Sequence, residues 1–151
     1  MPEGILNDLH QDHEEVAGLI EQMIKTEDGK ERGAIFKEMM TKLLAHSHAE
    51  QNVLYKKMEK SQDEKSRTFA YEGENEHQLV EQQLQQMARA RNKASEQWTA
   101  QASVLKDLVE HHVEEEESTG FSCARSEFDG EALEKMADQF RKQKQKLLQE
   151  A

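Results

Sequence analysis

The sequence has one cysteine, one proline, one tryptophan and few aromatics of any kind, and no long apolar run. Cys123, standing alone, excludes an internal disulfide framework and a thiolate zinc ribbon, since both need several thiols. Any metal held by this chain must therefore be bound through nitrogen and oxygen. No stretch approaches the roughly 20 apolar residues of a bilayer span, so no membrane partner is expected. The opening Met1-Pro2-Glu3-Gly4 has no basic segment followed by an apolar one. No secretory leader is expected in the chain as given, and the default compartment is the cytoplasm. Positive charge is also in short supply: 20 Lys+Arg stand against 31 Asp+Glu, a formal net charge of −11. Such a field repels phosphate backbones and argues against nucleic acid as a partner. At 151 residues there is room for one compact domain.

What remains is a chain of good helix formers, Glu, Gln, Lys, Ala, Leu and Met, with seven glycines as the main breakers. The reading is all-α. Ile5, Leu6, Leu9, Val16, Leu19, Ile20, Met23 and Ile24 recur at helical spacing, and the pattern ends near Thr26. Asp28 with Glu31 forms a capping box that starts a second helix carrying Ile35, Phe36, Met39, Met40, Leu43, Val53, Leu54 and Met58. Ser61 with Glu64 repeats the capping pattern before a third stripe of Phe69, Val80, Leu84 and Met87. From about Ser95 a fourth helix runs through Trp98, Ala102, Leu105, Leu108, Val109 and Val113, until Ser118, Thr119 and Gly120 break it; a loop with Cys123 is expected next. Asp129 and Gly130 open a fifth amphipathic segment with Leu133, Met136, Ala137, Phe140 and Leu147, basic toward its end. Four long helices joined by short turns predict an up-down-up-down bundle over residues 1–125. The helix of 126–151 then packs on or beside the bundle or serves for association. Within the acidic run Glu114 to Glu117, Glu114 and Glu117 read as a solvated face.

Several histidines fall in register with the apolar stripes, where a bundle ordinarily places leucine. The inward series are Leu9, His13, Val16, Ile20 in the first helix and Phe36, Met39, Leu43, His46, Glu50, Val53 in the second. In the third and fourth they are Gly73, His77, Val80, Leu84 and Leu105, Val109, His112, Glu116. Measured from the turns near Asp28, Ser61 and Ser95, the six polar groups lie at levels differing by about one helical turn, so they converge near mid-bundle. An internal repeat supports this. His13 precedes Met23 by ten residues as His77 precedes Met87, and His46-x-x-x-Glu50 leads to Tyr55 as His112-x-x-x-Glu116 leads to Phe121. Two hairpins of one design, related by a pseudo-twofold axis, would place like ligands around a centre.

Four imidazoles and two carboxylates without a thiolate suit iron, manganese or zinc, and carboxylates bridge two ions where a histidine cannot. Two octahedral ions sharing Glu50, Glu116 and a solvent oxygen would each keep a position open for an outside ligand. His-x-x-x-Glu by itself is nonspecific, since it also occurs at His10/Glu14, His77/Glu81 and His111/Glu115. Six such groups at one level are a different matter, because burying them without a cation costs several kcal/mol per unpaired charge. Val104, Leu108, His111 and Glu115 make a passable alternative stripe, and the repeat to Phe121 selects His112. His10 is a candidate ligand, ligand neighbour or surface group; His48 faces solvent; Glu81 is a candidate to close a coordination position.

The combination Asp12-His13, His46-Ser-His-Ala-Glu50 running to Tyr55, Glu76-His77, and His112-Val-Glu-Glu-Glu116-Glu117 running to Phe121 resembles the hemerythrin-like, or HHE cation-binding, domain over about residues 5 to 122. The resemblance implies a four-helix bundle with an oxo- or hydroxo-bridged pair of non-heme iron ions. His13, His46, His77 and His112 would be terminal ligands and Glu50 and Glu116 bridges, with zinc or manganese the lesser alternatives. Family members often carry a second Glu where Gln51 stands, and prolines where Lys56 and Ser122 stand. Glu81 replaces the second histidine of the oxygen carriers' third-helix pair, which points away from simple oxygen carriage. A ferritin-like site needs Glu-x-x-His on two helices, and only Glu74-Asn-Glu-His77 supplies it.

Three functions are in competition. The first is binding of O2, NO or peroxide at the di-iron centre for sensing, detoxification or iron handling. The second is a catalase- or peroxidase-like redox enzyme, with His10 and Tyr55 as candidate proton carriers. The third is a metal-braced module whose last helix docks a partner or a second copy. Cys123 is either inert or a redox handle.

Overall fold

A computed structural model describes residues 3–151, so Met1 and Pro2, part of the opening read for a leader, lie outside the described residues. Among these residues there is no strand. The chain forms helices α1 (Ile5–Lys25), α2 (Gly29–Glu50), α3 (Lys56–Met58), α4 (Glu64–Arg89), α5 (Glu96–Glu115), α6 (Phe121–Glu127) and α7 (Gly130–Glu150). Two π-helical turns, Gln51–Tyr55 and Glu116–Gly120, carry α2 into α3 and α5 into α6 without a break. The fold is thus the expected all-α, hemerythrin-like bundle, built from α1, α2, α4 and α5, with an additional C-terminal helix.

The starts follow from local chemistry. Asp28 accepts a hydrogen bond from the Glu31 amide at 3.0 Å, Ser95 from Trp98 at 3.1 Å, and Asp129 from Ala132 at 2.8 Å, each satisfying a helix-end N–H. The cap of α4 is Asp63, accepting from Lys65 at 3.2 Å, and not Ser61, whose hydroxyl instead accepts from the Asp63 amide at 3.0 Å. The expected break at Ser118–Gly120 is also corrected. The chain stays helical there by widening into a π turn, a device that admits one extra residue without ending the helix. Cys123 consequently sits buried on α6 and not in a loop.

Apolar residues gather in two clusters. One, around Leu9, Leu54, Tyr55, Phe121 and Phe140, lies beside α7; the other, around Phe36, Leu84, Trp98 and Leu105, fills the opposite end. The inward histidines and glutamates form the layer between them. Helix α7 packs in the groove between α1 and α2 and buries its stripe of Leu133, Met136, Ala137 and Phe140 there. The face available for docking a partner is therefore occupied by the chain's own bundle. Gly4 permits this: its φ is +54°, and a Cβ there would sit 2.5 Å from the Leu133 backbone. Arg32 is buried at the far end, where Nε donates to the Met23 carbonyl, Nη2 to Ile24, and Nη1 to Lys93 and Thr99. Three segments are thereby tied by one guanidinium. No helix among the described residues is long and apolar enough to cross a membrane.

Candidate metal centre

All six residues picked out by register face one another, and none is more than 8% exposed. They form two triads, His13, His46 and Glu116, and Glu50, His77 and His112, each with one ligand atom per residue within 4.8 Å of the others. The carboxylates stand between the triads. Glu116 Oε1 lies 3.0 Å from His13 Nε2 while its Oε2 lies 3.7 Å from His112 Nε2. Glu50 Oε1 lies 3.6 Å from His46 Nε2 and 3.2 Å from His77 Nε2. Each glutamate thus reaches a histidine of both halves.

Every inward imidazole is held from behind through Nδ1. His46 donates to Asp12 at 2.9 Å and His112 to Glu76 at 2.7 Å; these acceptors immediately precede the site histidines of α1 and α4. His77 donates to Gln51 at 2.7 Å and His13 to Glu117 at 2.6 Å; these acceptors immediately follow the site glutamates. An Nδ1–H bond fixes the tautomer that leaves the Nε2 lone pair pointing inward, as metal ligation requires. Asp12, Gln51 and Glu76 were visible only as flanking letters in the sequence. The usable signal was their common placement one residue from a site residue.

Most of the inward atoms find nothing to bond among the described residues. His13 Nε2, His46 Nε2, both oxygens of Glu50 and Glu116 Oε1 are buried without a hydrogen-bond partner, and His77 Nε2 meets His112 Nε2 at 3.1 Å, lone pair toward lone pair. Burial and the neighbouring Glu116 push the Glu50 carboxyl well above the usual range. Burial also opposes ionisation of Glu116, but the closely placed His13, Glu50 and His112 hold it well below. Burial and the adjacent His112 lower His77 strongly, so its imidazole is neutral and a competent donor. Unpaired nitrogen and oxygen donors of this kind fit cations of the iron, manganese or zinc class.

Tyr55 closes one side. Its ring stacks on His77 at 5.3 Å, and its hydroxyl donates to Glu116 Oε2 and lies 3.4 Å from His112 Nε2. Burial, with Glu116 and Glu50 close by, raises the phenol well above its usual value and keeps its proton on. Gly73 makes room, since a Cβ there would lie 2.7–2.9 Å from the Tyr55 ring and hydroxyl. On the other side a cavity of about 20 Å³ lies against the four histidines, walled by Val16, Leu43, Val80, Val109 and Val113. It admits about one water-sized molecule.

The remaining candidates fall outside. His111 is two-thirds exposed and lies 3.3 Å from Glu76, leaving His112 as the inward residue. Glu81 pairs loosely with the exposed His48 at 3.6 Å and does not enter the layer, because it lies on the outer flank of α4. His10 is near the surface and bonds Glu117 at 3.0 Å, so it acts on His13 only through that carboxylate. Glu117 itself is partly buried against His13, which corrects its reading as a solvated face; Glu114 is exposed.

Residues 4–124 match the family model of the hemerythrin HHE cation binding domain. The chain is also similar to a curated protein of Nostoc sp. (strain PCC 7120 / SAG 25.82 / UTEX 2576) named DNA nickase, with 28% identity over 145 residues. That similarity takes in 93% of this chain and 39% of the relative, so the chain spans about two fifths of the relative's length. No solved structure matches it.

Proposed function

This chain belongs to the hemerythrin HHE cation-binding domain family, and from that premise we propose that it holds two iron ions at the waist of the bundle and binds O2, NO or peroxide there. The setting would be sensing, detoxification or iron handling. His13, His46 and Glu116 would hold one ion and His77, His112 and Glu50 the other, with both glutamates placed to be shared. The observation that carries this reading is the set of buried nitrogen and oxygen atoms that no other group among the described residues satisfies. When bound, iron supplies reversible electron exchange with a small oxygen or nitrogen ligand. The protein's own groups prepare for it. The Nδ1 hydrogen bonds orient four imidazoles, the valine-walled cavity limits the guest to about the size of a diatomic, and the Tyr55 hydroxyl, which keeps its own proton, donates a hydrogen bond to Glu116.

Elemental analysis of the purified protein tests the reading. Two equivalents of iron are expected, lost in a His46→Ala/His112→Ala double variant. Near-ultraviolet absorption that responds to azide or peroxide is expected only of the iron form. Metal content unchanged by the double substitution would overturn the assignment.

A peroxide-disproportionating enzyme is the second reading, and the buried Tyr55 hydroxyl favours it by setting a proton donor inside the layer. Peroxide turnover separates enzyme from binder. The relative's name raises strand scission as well, against which stands the net charge of −11. A plasmid-relaxation assay with and without chelator decides that point.

A further inference from the structure

Helix α7 lies beyond the stretch that matches the family model, yet it reaches the metal centre. Lys144 Nζ lies 2.9 Å and 3.0 Å from the two oxygens of Asp12, and Asp12 Oδ2 in turn accepts from His46 Nδ1 at 2.9 Å. One turn earlier, the fully buried Phe140 sets its ring edge-on against the His46 imidazole at 5.7 Å, with the Lys144 ammonium 5.1 Å from the Phe140 centroid. Arg141 donates to Asp8 at 2.6 Å and 3.0 Å, one turn back on α1. Two rungs thus pin α7 to the helix that carries His13.

The other half of the centre has no such clamp. Glu76 holds His112 as Asp12 holds His46, but its second oxygen faces only the two-thirds exposed His111, at 3.3 Å. A carboxylate gripped at both oxygens cannot rotate away from its histidine, whereas one gripped loosely can. Loss of such an outer partner typically weakens metal binding by about 10–100-fold.

We propose that α7 is a positioning element of the metal centre: Lys144, through Asp12, fixes the His46 imidazole and makes the His13/His46/Glu116 position the tighter of the two. The proposal rests on the two-metal reading above. Calorimetric titration of the full chain with cobalt(II) tests it. Wild type is expected to take up two equivalents in two unequal steps. Lys144→Met weakens the tighter step about tenfold and spares the weaker, Lys144→Arg restores it, and Lys142→Met on the exposed side of the same helix changes nothing. Lys144→Gln gives the same result as the methionine variant and serves if the latter folds poorly. A second readout is nuclear magnetic resonance of the zinc-loaded protein. There the His46 Nδ1 proton exchanges with solvent faster in Lys144→Met while that of His112 does not. Both steps weakened alike, or both steps and both protons unchanged, would overturn the proposal. A wild-type chain that binds no cobalt would instead overturn the two-metal reading itself.

Discussion

Gln51 and Glu117 occupy equivalent places in the two halves of the bundle, each one residue after a site glutamate, and only Glu117 bears a carboxyl group. Gln51 accepts from His77 Nδ1 at 2.7 Å and Glu117 from His13 Nδ1 at 2.6 Å. The geometry is conserved across the pseudo-twofold while the chemistry is not. A carboxylate behind an imidazole strengthens it as a donor more than an amide does.

The consequence is measurable in metal affinity. Gln51→Glu should tighten iron(II) binding at the His77 side about tenfold, and Glu117→Gln should weaken the His13 side by a similar factor. Competition against a chelator of known affinity reads both. Equal affinities in all three proteins would refute the role given to these acceptors.

Tyr55 and Gly73 form a pair that can be separated. Tyr55→Phe should fold and retain its metal, because Phe121 already occupies the corresponding place in the other half. Without the hydroxyl, the peroxide-dependent absorption change of the iron-loaded protein should slow about 10²-fold, the span of a general acid. Gly73→Ala should instead cost about 1–3 kcal/mol in thermal unfolding, since its Cβ has no room beside the Tyr55 ring.

Glu74 gives a pH signature away from the metal layer. A hydrogen bond with Glu59, helped by desolvation, raises its carboxyl to about 7. Because the folded value lies above the unfolded 4.5, this contact stabilises the protein fully below about pH 4.5 and its contribution is lost as pH rises through about 7. Glu74→Gln keeps a donor at every pH. The melting temperature of wild type relative to this variant should therefore fall between pH 4.5 and 7 and level off above; a flat difference would show that the two carboxyls share no proton.

Arg32 is a structural counterpart to the site. Arg32→Met leaves the carbonyls of Met23, Ile24 and Lys93 without their donor in a buried corner. A loss of about 3 kcal/mol, roughly 10 °C in melting temperature, is expected with metal content unchanged. A drop of only a degree or two would mean that water replaces the guanidinium.

Register made much of this legible. The helical stripes placed His13, His46, His77 and His112 inward, capping chemistry marked the start at Asp28, and the apolar pattern marked those near Ser95 and Asp129, because all of these depend on neighbours within a turn or two. Ser61 misled, since Asp63 two residues on offers the stronger acceptor to the same helix end. Gly120 also misled. Spacing rules assume 3.6 residues per turn, and a π turn absorbs the extra residue that would otherwise end the helix.

The sequence by itself determined the helices, their inward faces and the level at which six donors meet, for these are local periodicities multiplied by a fixed rise. Tertiary structure alone decided which carboxylate stands behind which imidazole, that Tyr55 reaches Glu116 past Gly73, and that Lys144 holds Asp12 across 132 residues of chain. Those contacts depend on how closely two helices pack and on the rotation of each about its axis, and no spacing along one strand of residues encodes either.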